Sequence, residues 1–316
     1  MVGRVSEIQD LNNWFNNSRT KLTLIVAAGG IGKSALTDEW IKLNKENFKN
    51  YDLIFGWSFY SQGSHTTYTN SQAFYTSIFD HLGVTEIPSD EIEKGRLLAR
   101  CLQERKCLLI LDGLEPLQYP ESMPSMNGEL RDAAIKELVI CMRHNSPQSY
   151  LLVSSRQRIV ELDKWGNLDY EVLELDSLTP FDGALILDQL KVIGSKREKE
   201  ALSKDLGGHA LSIVLLGNIL REYHQGNIAF AQGVKNLSAP DIKSGSTTAY
   251  RHAKRVLDFY DNLQDPHSRD FLQLLGLFDR PMLADEKLVL FSKADQASAL
   301  NSLNSREWKS LLSHLF

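Results

Sequence analysis

The sequence has few cysteines: Cys101, Cys107 and Cys141 are the three in 316 residues, and their spacing matches neither a zinc site nor a disulfide framework. So few thiols suit a reducing compartment. No apolar run approaches the roughly 20 residues needed to cross a bilayer. The opening Met-Val-Gly-Arg does not have the form of a signal peptide, so a cytoplasmic location is expected. Net charge is also scant: 35 Lys and Arg against 40 Asp and Glu leave -5, which provides no global field to gather polyanions. With 9 prolines, 20 glycines and no internal repeat, collagen-like, disordered and low-complexity classes are excluded. What remains is 42% hydrophobic and 24% charged, in a length that suits a core domain with smaller modules attached.

Short apolar runs alternate with amphipathic stretches as far as Leu175. Strands are expected at Leu22–Val26, Leu53–Phe59, Cys107–Leu111, Tyr150–Val153 and Val172–Leu175. Helices are expected near Ser34–Phe48, Ser71–Leu82, Glu91–Gln103 and Glu129–Arg143, after an N-terminal helix started by a Ser6/Gln9 capping box. Runs this short in strand–helix alternation predict a parallel sheet covered on both faces, hence an α/β fold. Beyond Leu175 the strand signal ends. Thr179-Pro180, Ser195 with Glu198, and Asp265-Pro266 each have the form of a helix start, so the rest is expected to be helical. Two polar loops, Ser61–Asn70 and Gly113–Gly128, are long enough to suggest a functional role.

Chemistry concentrates in three places. Ala27-Ala28-Gly29-Gly30-Ile31-Gly32-Lys33-Ser34 follows an apolar strand and opens a helix, the context that makes a phosphate-binding loop credible over a chance glycine turn. Glycines let backbone N–H groups turn toward phosphates, and the helix adds its positive end. Lys33 supplies a charge and Ser34 a hydroxyl for Mg²⁺, while Ala27 stands where the motif begins with glycine. The apolar run Leu108–Leu111 ends in Asp112, placing a carboxylate at the sheet edge as a metal ligand, direct or through water. Glu115 could orient or deprotonate an attacking water. Tyr150–Val153 leads into Ser154-Ser155-Arg156, where Arg156 (preferred over Arg158) could grip a γ-phosphate by bidentate hydrogen bonding.

With these motifs in this order, the chain resembles the STAND class of P-loop NTPases, which includes NB-ARC and NACHT proteins. Val2-Gly3-Arg4 is similar to the family's N-terminal motif against adenine; Tyr51-Asp52, Trp57 and Ser61-Gln62 are similar to its second-strand motif. Asp112-Gly113-Leu114-Glu115 looks closer to the NACHT pattern than to paired aspartates. Leu206-Gly207-Gly208-His209-Ala210-Leu211 resembles the helical-domain motif whose proline packs on the base, with Ala210 at that position. Leu274–Pro281 looks like the start of a winged helix. The family's β-phosphate histidine is expected to lie beyond this sequence, and His314 is expected to be a surface or packing residue.

The resemblance implies a P-loop nucleotide-binding domain at 1–178, a helical domain at 179–262 and a partial winged-helix domain at 263–316. It implies ATP or ADP with Mg²⁺ as ligands. Contacts are expected from Val2, Gly3, Arg4, Gly29, Gly30, Ile31, Gly32, Lys33, Ser34, Ala35, Asp112, Arg156, Ala210 and Leu211, with Ser34 and Asp112 on the metal. Lys33, Glu115 and Arg156 are the expected catalytic residues of a slow ATPase. The expected role is the switch module of a signalling protein, in bacterial anti-phage defence, that self-associates when ATP-bound. Effector and sensor domains are expected outside this chain. An alternative is a regulator that binds nucleic acid through the winged helix, aided by the basic cluster Arg251, His252, Lys254 and Arg255.

Overall fold

The computed structural model describes residues 2–59, 71–120, 123–145, 148–163, 170–231, 248–269 and 307. Five strands, β1 (Leu22–Val26), β2 (Leu53–Ser58), β3 (Cys107–Asp112), β4 (Tyr150–Ser155) and β5 (Tyr170–Glu174), form one parallel sheet in the order β2-β3-β4-β1-β5. Side chains alternate between its faces, as the two-residue period requires. Leu22 and Leu24 of β1 and Cys107, Leu109 and Leu111 of β3 enter one core, with Phe74, Leu98 and Ile135 of the covering helices. Ile25, Leu108 and Ile110 point the other way, into a core with Leu11, Leu36 and Trp40. A strand buried on both faces reads as a nearly continuous apolar run, as β1 does apart from Thr23, whose hydroxyl is bonded to Tyr150, and β3 does up to Asp112.

The first of these cores lies under α3 (Gln72–Leu82), α4 (Glu91–Gln103) and α5 (Ala133–Asn145); the second lies under α1 (Val5–Asn16) and α2 (Lys33–Leu43). The expected α/β fold is therefore observed, with differences at element ends. The Ser6/Gln9 capping box does not form. The helix begins two residues earlier than that box would allow, with Arg4 at the N-cap position and Ser6 bonded to Glu7 instead. α2 ends at Leu43 rather than running to Phe48, because the buried Asn44 amide donates to the Trp40 carbonyl and to Asn12 Oδ1. α5 starts at Ala133 rather than Glu129. Leu130 is held in an antiparallel bridge with Gln118, and Asp132 Oδ1 accepts from the Ile135 N–H at 2.9 Å.

After a short turn of helix, α6 (Val160–Asp163), and β5, a helical module follows: α7 (Pro180–Gln189), α8 (Lys196–Asp205), α9 (Ala210–Tyr223) and the helix Thr248–Leu263. Two of its starts are those the sequence marks. Thr179 Oγ1 accepts from the Asp182 N–H at 3.1 Å, and Ser195 with Glu198 forms a complete capping box. Residues 266–269 are helical and Asp265 Oδ1 accepts from the Ser268 N–H, as Asp265-Pro266 suggests. This module has its own core, in which Leu187, Ile213, Leu216, Leu220 and Val256 are buried. Ser61–Asn70, with Ser61-Gln62, lies outside the described residues, as do Leu274–Pro281, His314 and nearly all of the expected winged-helix domain. No helix among the described residues is long and apolar enough to cross a membrane.

Candidate functional site

β1 ends at Val26, between β4 and β5 at the C-terminal edge of the sheet, and the chain there turns back into α2. Gly30 and Gly32 lie in the left-handed region, at φ 75° and 110°, which an L side chain rarely adopts. Gly32 occupies the N-cap position of α2 with no side chain to satisfy the first N–H groups of that helix. Those groups form a ready-made anion cradle.

The charged residues converge on this turn because of strand order. β4 lies between β1 and β3, so the end of β3 is brought across to α2. Ser34 Oγ donates to Asp112 Oδ2 at 2.9 Å. The other carboxylate oxygen, Oδ1, accepts from Ser154 Oγ at 2.5 Å. Ser154 also accepts from the Gly113 N–H through Oγ and from the Leu114 N–H through its carbonyl, so one serine fixes the whole turn that carries the acid. Lys33 Nζ donates to the Ala27 carbonyl at 2.7 Å and lies 3.7 Å from Glu115 Oε1. Arg156 Nε lies at the same 3.7 Å from that oxygen. Both Glu115 oxygens are buried without a hydrogen bond from the described residues. Burial lowers the Lys33 pKa; Glu115 and Asp112 oppose that shift, and Arg156 adds to it.

A cavity of about 430 Å³ opens here, lined by Gly29, Gly30, Gly32, Lys33, Ser34 and Ala35 of the glycine-rich loop and the start of α2, by Asp112 and Arg156, and by Ala210, Leu211 and Val214 of the helical module. The sheet side is polar and the α9 side apolar, an arrangement suited to a ligand with an anionic tail and an apolar body. Val2, Gly3, Arg4, Ile31 and Glu115 are not among the lining residues. Gly3 packs tightly on Asp182. Arg4 is buried, its guanidinium donating to the Asp176 carbonyl at 2.7 Å and to the Ile31 carbonyl at 3.4 Å, so it braces the loop through the loop's own backbone. Arg158 is turned away, paired with Glu174 at 2.7 Å, which leaves Arg156 as the arginine at the cavity. In the basic cluster, Lys254 pairs with Asp258 along its own helix.

The sequence reading overlooked three residues here. Val214 lines the apolar wall one helical turn after Ala210. Ser154 orients Asp112. His209 enters the sequence pattern only as part of the Leu206–Leu211 motif, yet its ring reaches the glycine-rich loop, with Nε2 2.9 Å from the Gly29 carbonyl. Its place immediately before α9 was the available signal, since a polar residue there is a candidate helix cap.

No family model matches the chain. Among solved structures, it superposes on the Signal Transduction ATPase with Numerous Domains (STAND) protein of Pyrococcus horikoshii, which carries a tetratricopeptide repeat sensor. That match has TM-score 0.54 and 16% identity, and covers 99% of this chain and 38% of that one. The fold is that of a P-loop NTPase. The Walker-type ATPase of Pyrococcus abyssi matches at TM-score 0.47 and 13% identity, over 100% of this chain and 89% of that one. In sequence, the chain is 22% identical to an uncharacterized WD repeat-containing protein of Nostoc sp., over 98% of this chain and 24% of that protein. The chain thus spans about a quarter of that curated relative.

Proposed function

We propose that the chain is an adenine-nucleotide switch module: a sheet domain at 1–178 binds ATP or ADP, and a helical domain at 179–262, with the winged-helix segment 263–316, follows the state of the nucleotide. The observation that carries this reading is the shared cavity. Lys33, Ser34, Asp112 and Arg156 line it from the sheet, and Ala210, Leu211 and Val214 from the helices. A ligand filling it touches both units, and its affinity then depends on how they are arranged.

Each residue has a role set by its place. The open amides at Gly30–Lys33 and the Lys33 ammonium take the β- and γ-phosphates, and Arg156 takes the γ-phosphate. Ser34 Oγ and Asp112 Oδ2, already hydrogen-bonded to each other, fit a divalent-metal site of one hydroxyl and one carboxylate. Magnesium bound there would neutralise charge on the phosphate oxygens. Glu115, with two buried acceptor oxygens and no hydrogen-bond donor among the described residues, accepts the proton from an attacking water. The water oxygen bonds the γ-phosphorus as the bond to the ADP oxygen breaks, releasing ADP and phosphate. Turnover is slow, as suits a switch.

The finer reading is ATP-driven self-association in bacterial anti-phage signalling. It rests on the STAND-like motifs and on the likeness to a signal-transduction ATPase of which the chain matches a part. Titration calorimetry with magnesium and ATP, ADP or GTP tests the site itself. Saturable heat with the adenine nucleotides is expected, and no heat with any of them overturns the proposal. Glu115→Gln is expected to keep ATP binding and lose phosphate release; a variant with full turnover removes Glu115 from the mechanism. Light scattering with and without MgATP tests self-association.

A further inference from the structure

The phosphate loop is held from the helical side as well as from the sheet. His209 is buried, with 3% of its surface exposed, immediately before α9. Its Nδ1 accepts from the Ser212 N–H at 3.3 Å, capping the helix, and lies 2.6 Å from Ser212 Oγ. With Nδ1 an acceptor, the ring hydrogen belongs on Nε2. That nitrogen lies 2.9 Å from the Gly29 carbonyl. One residue on, the Leu211 N–H donates to the Gly30 carbonyl at 2.9 Å. Two successive peptides of the loop therefore have their carbonyls engaged by the start of α9. A Cβ on Gly30 would lie 2.6 Å from His209 Nε2 and 3.0 Å from the Leu211 Cβ. The imidazole thus occupies the space that a side chain at position 30 would take.

We propose that His209 is a positioning residue for nucleotide binding: its Nε2–H holds the Gly29 carbonyl and so fixes the orientation of the loop amides, while Nδ1 locks the same ring to the first turn of α9. A peptide plane is rigid, so a carbonyl fixed on one side sets the direction of the following N–H on the other. Holding those planes before the ligand arrives removes part of the ordering cost of binding. The same ring makes α9 a sensor of the loop. When phosphate pulls on the amides at Gly30–Lys33, the displacement passes through the Gly29 carbonyl to His209 and to the helix it caps. This inference rests on the reading of the cavity as a nucleotide site and adds the residue that transmits its occupancy.

The two functions of the ring can be separated. Asparagine is among the best helix caps, yet its shorter side chain does not reach Gly29. His209→Asn should therefore keep the α9 cap and lose the contact with the loop, whereas His209→Ala should lose both. MgATP affinity is expected to fall about five- to tenfold in both variants, the worth of one hydrogen bond. His209→Ala, which loses the cap as well, should melt at a lower temperature than His209→Asn. Hydrogen exchange supplies a second readout: since α9 also lines the cavity, nucleotide should slow exchange in 210–223 in both chains, but by less in His209→Asn than in the wild-type chain. A His209→Asn variant with wild-type affinity and the same nucleotide-dependent protection overturns the proposal and leaves His209 a helix cap. If the wild-type chain itself binds no nucleotide, the reading of the cavity falls, and this inference with it.

Discussion

Two helices begin at the cavity, and they treat their first N–H groups in opposite ways. α9 is closed: His209 caps it and the Leu211 N–H is spent on the Gly30 carbonyl. α2 starts from Gly32 with no side-chain cap. Both starts are preceded by glycines in the left-handed region, Gly30 and Gly32 before α2 and Gly207 and Gly208 before α9, so the glycines alone do not separate them. The difference lies in what surrounds them. Gly208 is pressed against the chain, where a Cβ would lie 2.1 Å from the Leu178 carbonyl oxygen, whereas a Cβ on Gly32 would meet nothing within 4 Å. An uncapped helix end facing open space leaves its N–H groups available to a ligand; a capped end against backbone is a structural joint.

Substitutions can break or sharpen this contrast. The largest effect is expected for Lys33→Ala at the open end: MgATP affinity should fall about a hundredfold, as for a lost charge-assisted contact, with far-UV circular dichroism unchanged. Unchanged affinity would remove Lys33 from the site. At the closed end, Gly208→Ala combines left-handed strain with a backbone clash and should cost about 3 kcal/mol or more in urea unfolding. Gly32→Ala meets only the strain and should cost about 1 kcal/mol, yet its methyl enters the phosphate cradle and should weaken nucleotide binding. Equal stability losses for the two alanines would contradict the contrast. Ser195→Ala, in the capping box away from the cavity, should cost about 1 kcal/mol in the same assay with affinity unaltered.

The smallest effect concerns pH. Burial lowers the Lys33 pKa, so Lys33 gives up its proton at a lower pH than an exposed lysine. Its charge attracts phosphate, so affinity should decline as the solution is made alkaline through that lowered value. Lys33→Ala should lack this alkaline decline in calorimetry run across pH. The stability term has the opposite sign. Between the lowered folded value and the ordinary lysine range the unfolded chain holds more protons, so this group's contribution to stability grows with rising pH in that window.

The parallel sheet was legible in the sequence because strands buried on both faces are almost wholly apolar, as Cys107–Leu111 is and as Leu22–Val26 is apart from Thr23. The loop at Gly29–Ser34 and the acid at Asp112 were legible because their chemistry follows from position at a strand end. Boundaries were less so. Ser6 has the right spacing for a cap but sits inside a helix, because the Arg4 guanidinium is drawn to the Asp176 carbonyl, far away in sequence. The roles of Ser154 and His209 were hidden for a similar reason. Each bonds a group that only the fold brings near, Asp112 across a strand pair and Gly29 across the module boundary.

Strand order also affects how this chain can be assembled during synthesis. The strand that carries the phosphate loop is the first to be made, yet both of its neighbours, Tyr150–Ser155 and Tyr170–Glu174, lie far downstream. Until they are translated, Leu-Thr-Leu-Ile-Val has neither edge satisfied, an apolar segment open to pairing with other nascent chains. Ribosome-stalled chains ending before Tyr150 should therefore be protease-sensitive and depend on a holdase, whereas those extending past Leu175 should close the sheet.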